Sequence, residues 1–240
     1  MKYSLVIPVL NEEKNISKLV QKIELTNTSN IIDIIFIDGG STDNTVNIIN
    51  KGRFAKKLLS YKGNGKLSGQ LQLGYHFSIE NNYEGVITMD GNNKDDPVFI
   101  PRFISKLDKG YDFIQGSRFM TGGSSVNLSL FRNLMINYIH VPLLNLGSNY
   151  KFTDTTQGYR AYSKKVLTDS KIGLMNKKFK RYQLLLCATT LIPKYNYKCI
   201  EVPNTRTYSI EGGQTKFNFS NLVLYFLDIL NYSLRIKFKK

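Results

Sequence analysis

Residues 85–97 read Gly85-Val-Ile-Thr-Met-Asp90-Gly-Asn92-Asn-Lys94-Asp95-Asp96-Pro97. A short apolar run, Val86 to Met89, leads straight into a cluster of carboxylate and amide oxygens. A buried strand that ends in a carboxylate at a loop is how an α/β protein presents a ligand to a metal ion or a phosphate. Asn92 and Lys94 stand where a hard-cation site is expected to carry anions. Two other candidate strand ends carry polar groups, the Pro8–Glu12 loop and Asp38. Together with Asp90 they could accept hydrogen bonds from a nucleobase and ribose, or hold a divalent ion on a diphosphate. Arg118, Arg132, Arg160 and Lys216 sit in polar, glycine-flanked segments of the second half, and arginine suits bidentate phosphate recognition.

Other patterns carry less. Gly63-Asn-Gly65-Lys66 hints at a phosphate loop, but Ser60 replaces the first glycine of that pattern and Leu67 replaces its Ser or Thr. No GxGxxG follows the first strand. His76 and His140 are isolated and read as surface or core histidines.

The elements that must position these groups follow from hydrophobic periodicity. Residues 3–7 read as a buried strand. Asn11-Glu12-Glu13 opens an amphipathic helix with Ile16, Leu19, Val20 and Ile23 at helical spacing. Residues 31–37 form a second strand ending at Asp38, and Ser41 or Thr42 is placed to cap the helix that follows. Leu58–Tyr61 is a third strand, a helix runs through Leu71, Leu73 and Phe77, and residues 85–89 make a fourth. This alternation predicts an α/β fold with a mostly parallel central sheet flanked by helices, its ligands at the carboxyl ends of the strands. The second half reads as a helix over 99–107, a strand over 111–115, a helix over 128–147, a helix around 179–191, a strand near 198–202 and a final helix from about 220. Asp96 is placed to cap a helix before Pro97.

Length and composition bound the rest. The 240 residues suit one domain, and 42% hydrophobic and 12% aromatic content supports an ordinary core. Net charge is +15, from 33 Lys and Arg against 18 Asp and Glu, which favours anionic partners: nucleic acid, anionic lipid or phosphorylated substrates. The basic residues flank polar loops and do not interleave with aromatics on one face, so nucleic acid is not expected. Cys187 and Cys199 are too few for a disulfide framework and form no CxxC pair, which fits a reducing compartment. The N-terminus lacks the apolar length of a signal peptide, and no apolar run reaches the ~20 residues of a transmembrane helix.

Five blocks in order carry a family resemblance. They are Val6-Ile-Pro-Val-Leu-Asn-Glu-Glu13, Ile37-Asp-Gly-Gly-Ser-Thr-Asp-Asn-Thr45, Met89-Asp-Gly-Asn92, Gln115-Gly-Ser-Arg-Phe119 with Gly122-Gly123, and Asp154-Thr-Thr-Gln-Gly-Tyr-Arg-Ala-Tyr162. The chain resembles glycosyltransferase family 2, in its dolichyl-phosphate mannose synthase-like branch, over about residues 3–217. The resemblance implies a GT-A fold over residues 1–219 and an inverting enzyme that moves a sugar from a nucleoside-diphosphate sugar to an acceptor. It implies nucleotide-sugar binding by Pro8, Asn11, Glu12, Asp38, Lys66, Asp90, Asn92 and Lys216. It implies acceptor-phosphate binding by Arg118, Arg132 and Arg160, catalytic work by Asp90, Asp154 and Arg118, and a divalent metal, Mg or Mn, at Asp90, Asn92 and Asp95.

Three departures qualify the pattern. Asn92 replaces the second carboxylate of Asp-x-Asp, so either Asp95 or Asp96 helps Asp90 hold the ion, or Lys94 takes over part of the diphosphate charge and the metal is weakly required. Gly39 stands where the family often has Asp. Ser209-Ile210-Glu211 stands where the branch often has Arg.

The acceptor decides the chemistry. A lipid phosphate is already anionic and needs no general base, whereas a saccharide hydroxyl needs one, for which Asp154 is the candidate. From Ser220 to Phe238 the chain is apolar on most faces, with Asn221, Asp228 and Arg235 forming one polar stripe, and it ends in basic and aromatic residues. Residues 220–240 are therefore read as an amphipathic basic helix that either lies on an anionic membrane or packs on the domain or in a homodimer contact. A polyprenyl phosphate at the cytoplasmic, inner face of the membrane is the expected acceptor, with peripheral attachment. A saccharide acceptor in cell-envelope polysaccharide synthesis is the alternative, and a non-catalytic nucleotide-sugar binding protein a third reading.

Overall fold

The structure is a computed structural model that describes residues 1–52, 54–64, 66–176, 178–208 and 219–238, with the side chains of the last helix described for 224–233. In chain order the elements are β1 (Tyr3–Val9), α1 (Glu13–Leu25), β2 (Asp33–Asp38), α2 (Thr45–Lys51), β3 (Ala55–Ser60), α3 (Lys66–Glu80), β4 (Gly85–Thr88), α4 (Ile100–Asp108), β5 (Phe113–Ser117), β6 (Ser124–Val126), α5 (Leu130–Met135), α6 (Val141–Leu146), β7 (Arg160–Ser163), α7 (Lys164–Thr168), α8 (Gln183–Lys194), β8 (Cys199–Pro203), β9 (Thr205–Thr207) and α9 (Phe219–Phe238). A π-helical turn, Ile136–His140, joins α5 to α6.

Among the described residues a seven-stranded sheet runs in the order β3-β2-β1-β4-β7-β5-β8, and β6 and β9 pair as a separate ribbon. Every residue of β1 is buried, the mark of a strand covered on both faces. One face packs Leu5, Ile7, Ile34 and Phe36 under α1 and α4; the other packs Val6, Ile35, Ile37 and Val86 under α3 and α8. β1, β2, β3 and β4 are parallel, so Val9, Asp38 and the residue after Thr88 emerge at one edge.

The sheet departs from the sequence expectation at β7. This strand runs antiparallel to both β4 and β5 and separates them. It places the Asp154–Gly158 loop beside the end of β4, where Thr88 Oγ1 donates to the Gly158 carbonyl at 2.6 Å. The expected helix over 128–147 is present as one continuous run from Leu130 to Leu146, in which a π turn separates α5 from α6. Asp96 does cap, accepting from Val98 N at 3.0 Å ahead of Pro97. Ser41 and Thr42 do not: α2 starts at Thr45 behind Asn44, and both residues instead tie to Asn11 of the first loop.

α9 packs on the domain through Tyr225, Ile229 and Tyr232, which meet Leu143, Leu144 and Leu186. Asp228, in its polar stripe, bonds Arg181 and Gln183.

Candidate active site at the carboxyl edge of the sheet

The first two loops are stapled together. Asn11 adopts a left-handed backbone (φ 53°), a conformation that asparagine tolerates better than most residues. Its N–H donates to Ser41 Oγ at 3.0 Å and its Oδ1 accepts from Thr42 N at 2.8 Å. Glu12 N donates to Thr45 Oγ1 at 2.8 Å. Asp38 is buried and its carboxylate accepts from the N–H groups of Gly40 and Ser41 at 3.1–3.2 Å. Gln70 Nε2 donates to the carbonyls of Val9 and Ile37 at 2.9 and 2.8 Å. A Cβ at Gly39 would lie 2.9 Å from that amide, so a side chain there would press on Gln70. Pro8 is buried within β1 and reaches the site only through its carbonyl, which accepts from Gly91 N at 3.3 Å.

Asp90 follows β4 with its side chain 22% exposed, and its Oδ2 accepts from Arg206 Nη2 at 2.7 Å. A Cβ at Gly158 would collide with Asp90 Oδ1, so a side chain there would displace the carboxylate from its present position. Asn92 Oδ1 is turned into its own loop, accepting from Lys94 N at 3.2 Å. Asp95 is fully buried, and both its oxygens accept from Arg206 Nη1 at 2.7 and 2.5 Å. Burial acts against the Arg206 charge, but the carboxylates of Asp95 and Asp90 outweigh it and raise its pKa.

A second cluster surrounds the Tyr208 ring. Lys94 Nζ lies 5.6 Å from its centroid, the Arg132 guanidinium 5.3 Å and the Arg118 guanidinium 5.9 Å. Burial lowers the Lys94 pKa, with the Arg206 charge adding to it. Arg118 is held from below. Its Nε and Nη2 donate to Asp154 at 2.8 and 3.1 Å, and it also bonds Thr156 and Tyr208. Asp154 is wholly buried; burial raises its pKa, but Arg118 and bonds from Gln157 and Thr156 more than reverse this and the net shift is down. Its loop is pinned by Glu201, which accepts from Thr153 N and Asp154 N at 2.9–3.0 Å.

Several sequence expectations change. Arg160 is not an acceptor-phosphate ligand: it is 1% exposed, and its guanidinium donates to the carbonyls of Gln157, Leu185 and Thr155 at 2.8–3.1 Å. Asp154 cannot serve as a general base, because it is sealed from solvent with both oxygens engaged. Asp95 is not available to a metal ion, since Arg206 occupies it. Lys66 is exposed at the start of α3 and makes no hydrogen bond or ion pair with the other site residues among the described ones. Lys216 lies outside the described residues. Arg206 and Tyr208 were missed by sequence reasoning; their one local signal is a charged and an aromatic residue alternating with threonines just after a strand end.

Among the described residues no group of three or more His, Cys, Asp or Glu is arranged to hold a metal ion. The residues fit an ion carried on a phosphate group: Mg²⁺ is commonly held by one or two carboxylates together with substrate phosphates, and Asp90, in the space that Gly158 leaves, is the one carboxylate of the three expected ligands that reaches solvent.

A mostly parallel sheet that gathers Asn11, Asp38 and Asp90 at one edge, closed by an antiparallel β7, is the GT-A architecture of nucleotide-diphospho-sugar transferases. Solved structures agree. Glucosyl-3-phosphoglycerate synthase from Mycobacterium tuberculosis, in complex with Mn²⁺, UDP-glucose and phosphoglyceric acid, superposes with a TM-score of 0.69 at 17% identity, over 98% of this chain and 79% of that one. The same enzyme with Mg²⁺ and UDP gives 0.64 at 18% identity, over 98% and 78%. The chain belongs to glycosyl transferase family 2, whose model matches residues 4–170, and is a glycosyltransferase. Its relatives include the polyprenol monophosphomannose synthase of Mycolicibacterium smegmatis, 27% identical over 90% of this chain and 81% of that protein. The dolichol-phosphate mannosyltransferase of Pyrococcus furiosus is 26% identical over 91% and 62%. These names agree with the branch that the motifs resemble.

Proposed function

We propose that this glycosyltransferase moves a sugar, with inversion, from a nucleoside-diphosphate sugar to a polyprenyl phosphate at a membrane surface. The observation that carries this reading is the setting of Arg132. It faces the Tyr208 ring with Arg118 and Lys94, on a helix whose neighbouring Leu130, Phe131 and Leu134 are 82%, 74% and 54% exposed. Cations beside a solvent-facing apolar strip suit an acceptor with an anionic head and a hydrocarbon tail. Leu224, Phe226 and Leu227 of α9 are exposed as well. In this reading residues 220–240 are the membrane-facing appendage of the domain over 1–219. No described helix is long and apolar enough to cross a membrane; attachment is peripheral, at the cytoplasmic face.

In the transfer the sugar C1–O bond to the diphosphate breaks and a C1–O bond to the acceptor phosphate forms on the opposite face. Both electrons of the broken bond leave with the nucleoside diphosphate. The acceptor phosphate is already an anion, so no proton is removed. Arg118, held by Asp154, and Arg132 with Lys94 orient that phosphate and offset repulsion between it and the donor. Asn11, Glu12 and the Asp38 turn shape the nucleoside end. A divalent ion at Asp90 would add charge stabilisation to the leaving diphosphate; with Asp95 and Asn92 engaged elsewhere, that requirement is weak. A saccharide hydroxyl acceptor would need a base, and Asp154 is closed off.

The test is a donor and acceptor screen. UDP-, GDP- and dTDP-sugars are first ranked by thermal shift, since a bound nucleotide raises the melting temperature by mass action. Radiolabelled transfer to a short polyprenyl phosphate is then measured against the matching polyprenol and free saccharides. Transfer to the phosphate alone, abolished in Asp90→Ala, is expected. Transfer to saccharides at equal rate would reject the acceptor assignment.

A further inference from the structure

Arg206 is buried beside Asp90, and its position is built from several sides. β9 pairs with β6, putting Arg206 opposite Ser125. Its backbone bridges Asp95, and the next residue, Thr207, donates N–H to the Lys94 carbonyl at 2.9 Å. The side chain, 9% exposed, spans two carboxylates: Nη1 on Asp95 at 2.5 Å and Nη2 on Asp90 at 2.7 Å. Asp95 is sealed from solvent, so the guanidinium is a fixed part of the loop and not a surface contact. These two carboxylates, with Asn92, are the metal ligands that the family resemblance implies. The cation they hold is one the chain itself supplies.

We propose that Arg206 is a built-in cation that competes with divalent metal for Asp90, so that metal binds appreciably only when a donor diphosphate supplies further oxygens. This rests on the donor-site reading above. A metal ion at Asp90 of the donor-free protein meets one carboxylate already shared with a positive guanidinium; a diphosphate adds two or more anionic oxygens and reverses the balance. Linkage makes the effect mutual: the factor by which nucleoside diphosphate tightens metal binding is the factor by which metal tightens nucleotide binding.

The experiment is a Mn²⁺ titration of the full chain, followed by electron paramagnetic resonance of free Mn²⁺, with and without saturating UDP or GDP. Wild type is expected to bind Mn²⁺ at least tenfold more weakly without nucleotide than with it. Arg206→Gln keeps a donor for the buried Asp95 and removes the charge, so it should bind Mn²⁺ at least tenfold more tightly than wild type without nucleotide. Arg206→Lys, which keeps the charge but cannot fork between two carboxylates, should fall between them. Folded Arg206→Gln with wild-type or weaker Mn²⁺ affinity would overturn the proposal while leaving the donor site intact. So would wild type that binds Mn²⁺ equally well with and without nucleotide, a result that needs no variant. If neither UDP nor GDP, nor dTDP, binds wild type at any Mn²⁺ concentration, the donor-site reading falls and takes this proposal with it.

Discussion

Arg118 and Asp154 are buried together beneath the cations that surround Tyr208, and removing one charge strands the other. Asp154→Asn should destabilise the fold by about 3–5 kcal/mol at pH 7, read by urea denaturation. The sign with pH follows from the lowered carboxyl pKa. The stabilisation is complete above the unfolded value of ~3.9 and is lost as pH falls through the folded one, so the gap between wild type and variant should close in acid. Arg160 makes a different prediction. As a brace on three carbonyls it should cost about 1.5–3 kcal/mol when changed to Lys, lowering the melting temperature while the acceptor KM stays at the wild-type value. A rise in acceptor KM without loss of stability would return Arg160 to the phosphate site. Sequence alone could not separate these two arginines. Both sit in polar, glycine-flanked segments; what differs is whether the chain around them closes over the guanidinium, and that depends on Leu185 and Asp154, 25 and 36 residues away. Asp90 was legible because it ends an apolar strand. Arg206 was not, because its partners lie 111 and 116 residues earlier in the chain.

At the level of elements, the π turn delivers His140 to a buried position between two segments. Nδ1 meets Thr155 Oγ1 and Nε2 meets the Tyr225 hydroxyl, both at 2.7 Å, and the His140 and Tyr225 rings stack. π turns are recurrent at functional sites, and this one connects α9 to the loop that carries Asp154. Burial pushes the His140 pKa down to about 4. A histidine buried neutral gives stability that is full above its unfolded value of ~6.5 and lost as pH falls toward the folded one. Wild type should therefore lose about 3 kcal/mol between pH 6.5 and 4, measured by chemical denaturation, and His140→Gln should lose distinctly less. The alternating strands and helices of the first half were readable because each is a continuous apolar run or a helical stripe between turn signals. β7 was hidden inside the Asp154–Tyr162 motif: four residues with Arg160 at their start do not advertise a buried strand, and only the neighbours on both sides make them one.

For the whole molecule, a net charge of +15 and an exposed apolar strip on α5 predict two separable contributions to membrane binding. Binding to vesicles of anionic lipid should weaken as salt rises from 50 to 300 mM, as the Debye length contracts below ~10 Å. Phe131→Ser should weaken it about tenfold at fixed salt, the loss of roughly 1.5 kcal/mol or more of buried apolar area. Unchanged sedimentation of Phe131→Ser with vesicles would remove α5 from the membrane contact. Net charge was legible at once; the strip was not, because Leu130, Phe131 and Leu134 carry the spacing of a helix that faces a core, and only the folded chain leaves that face uncovered. The order of the chain has a consequence for its synthesis. Asp90 and Asp95 emerge from the ribosome more than a hundred residues ahead of Arg206, and the parallel core of β1 to β4 can assemble meanwhile. Until β9 appears, two carboxylates at the mouth of that core have no cation, so a nascent chain halted near residue 200 should hold the sheet yet remain open at the site and be cut there first by protease.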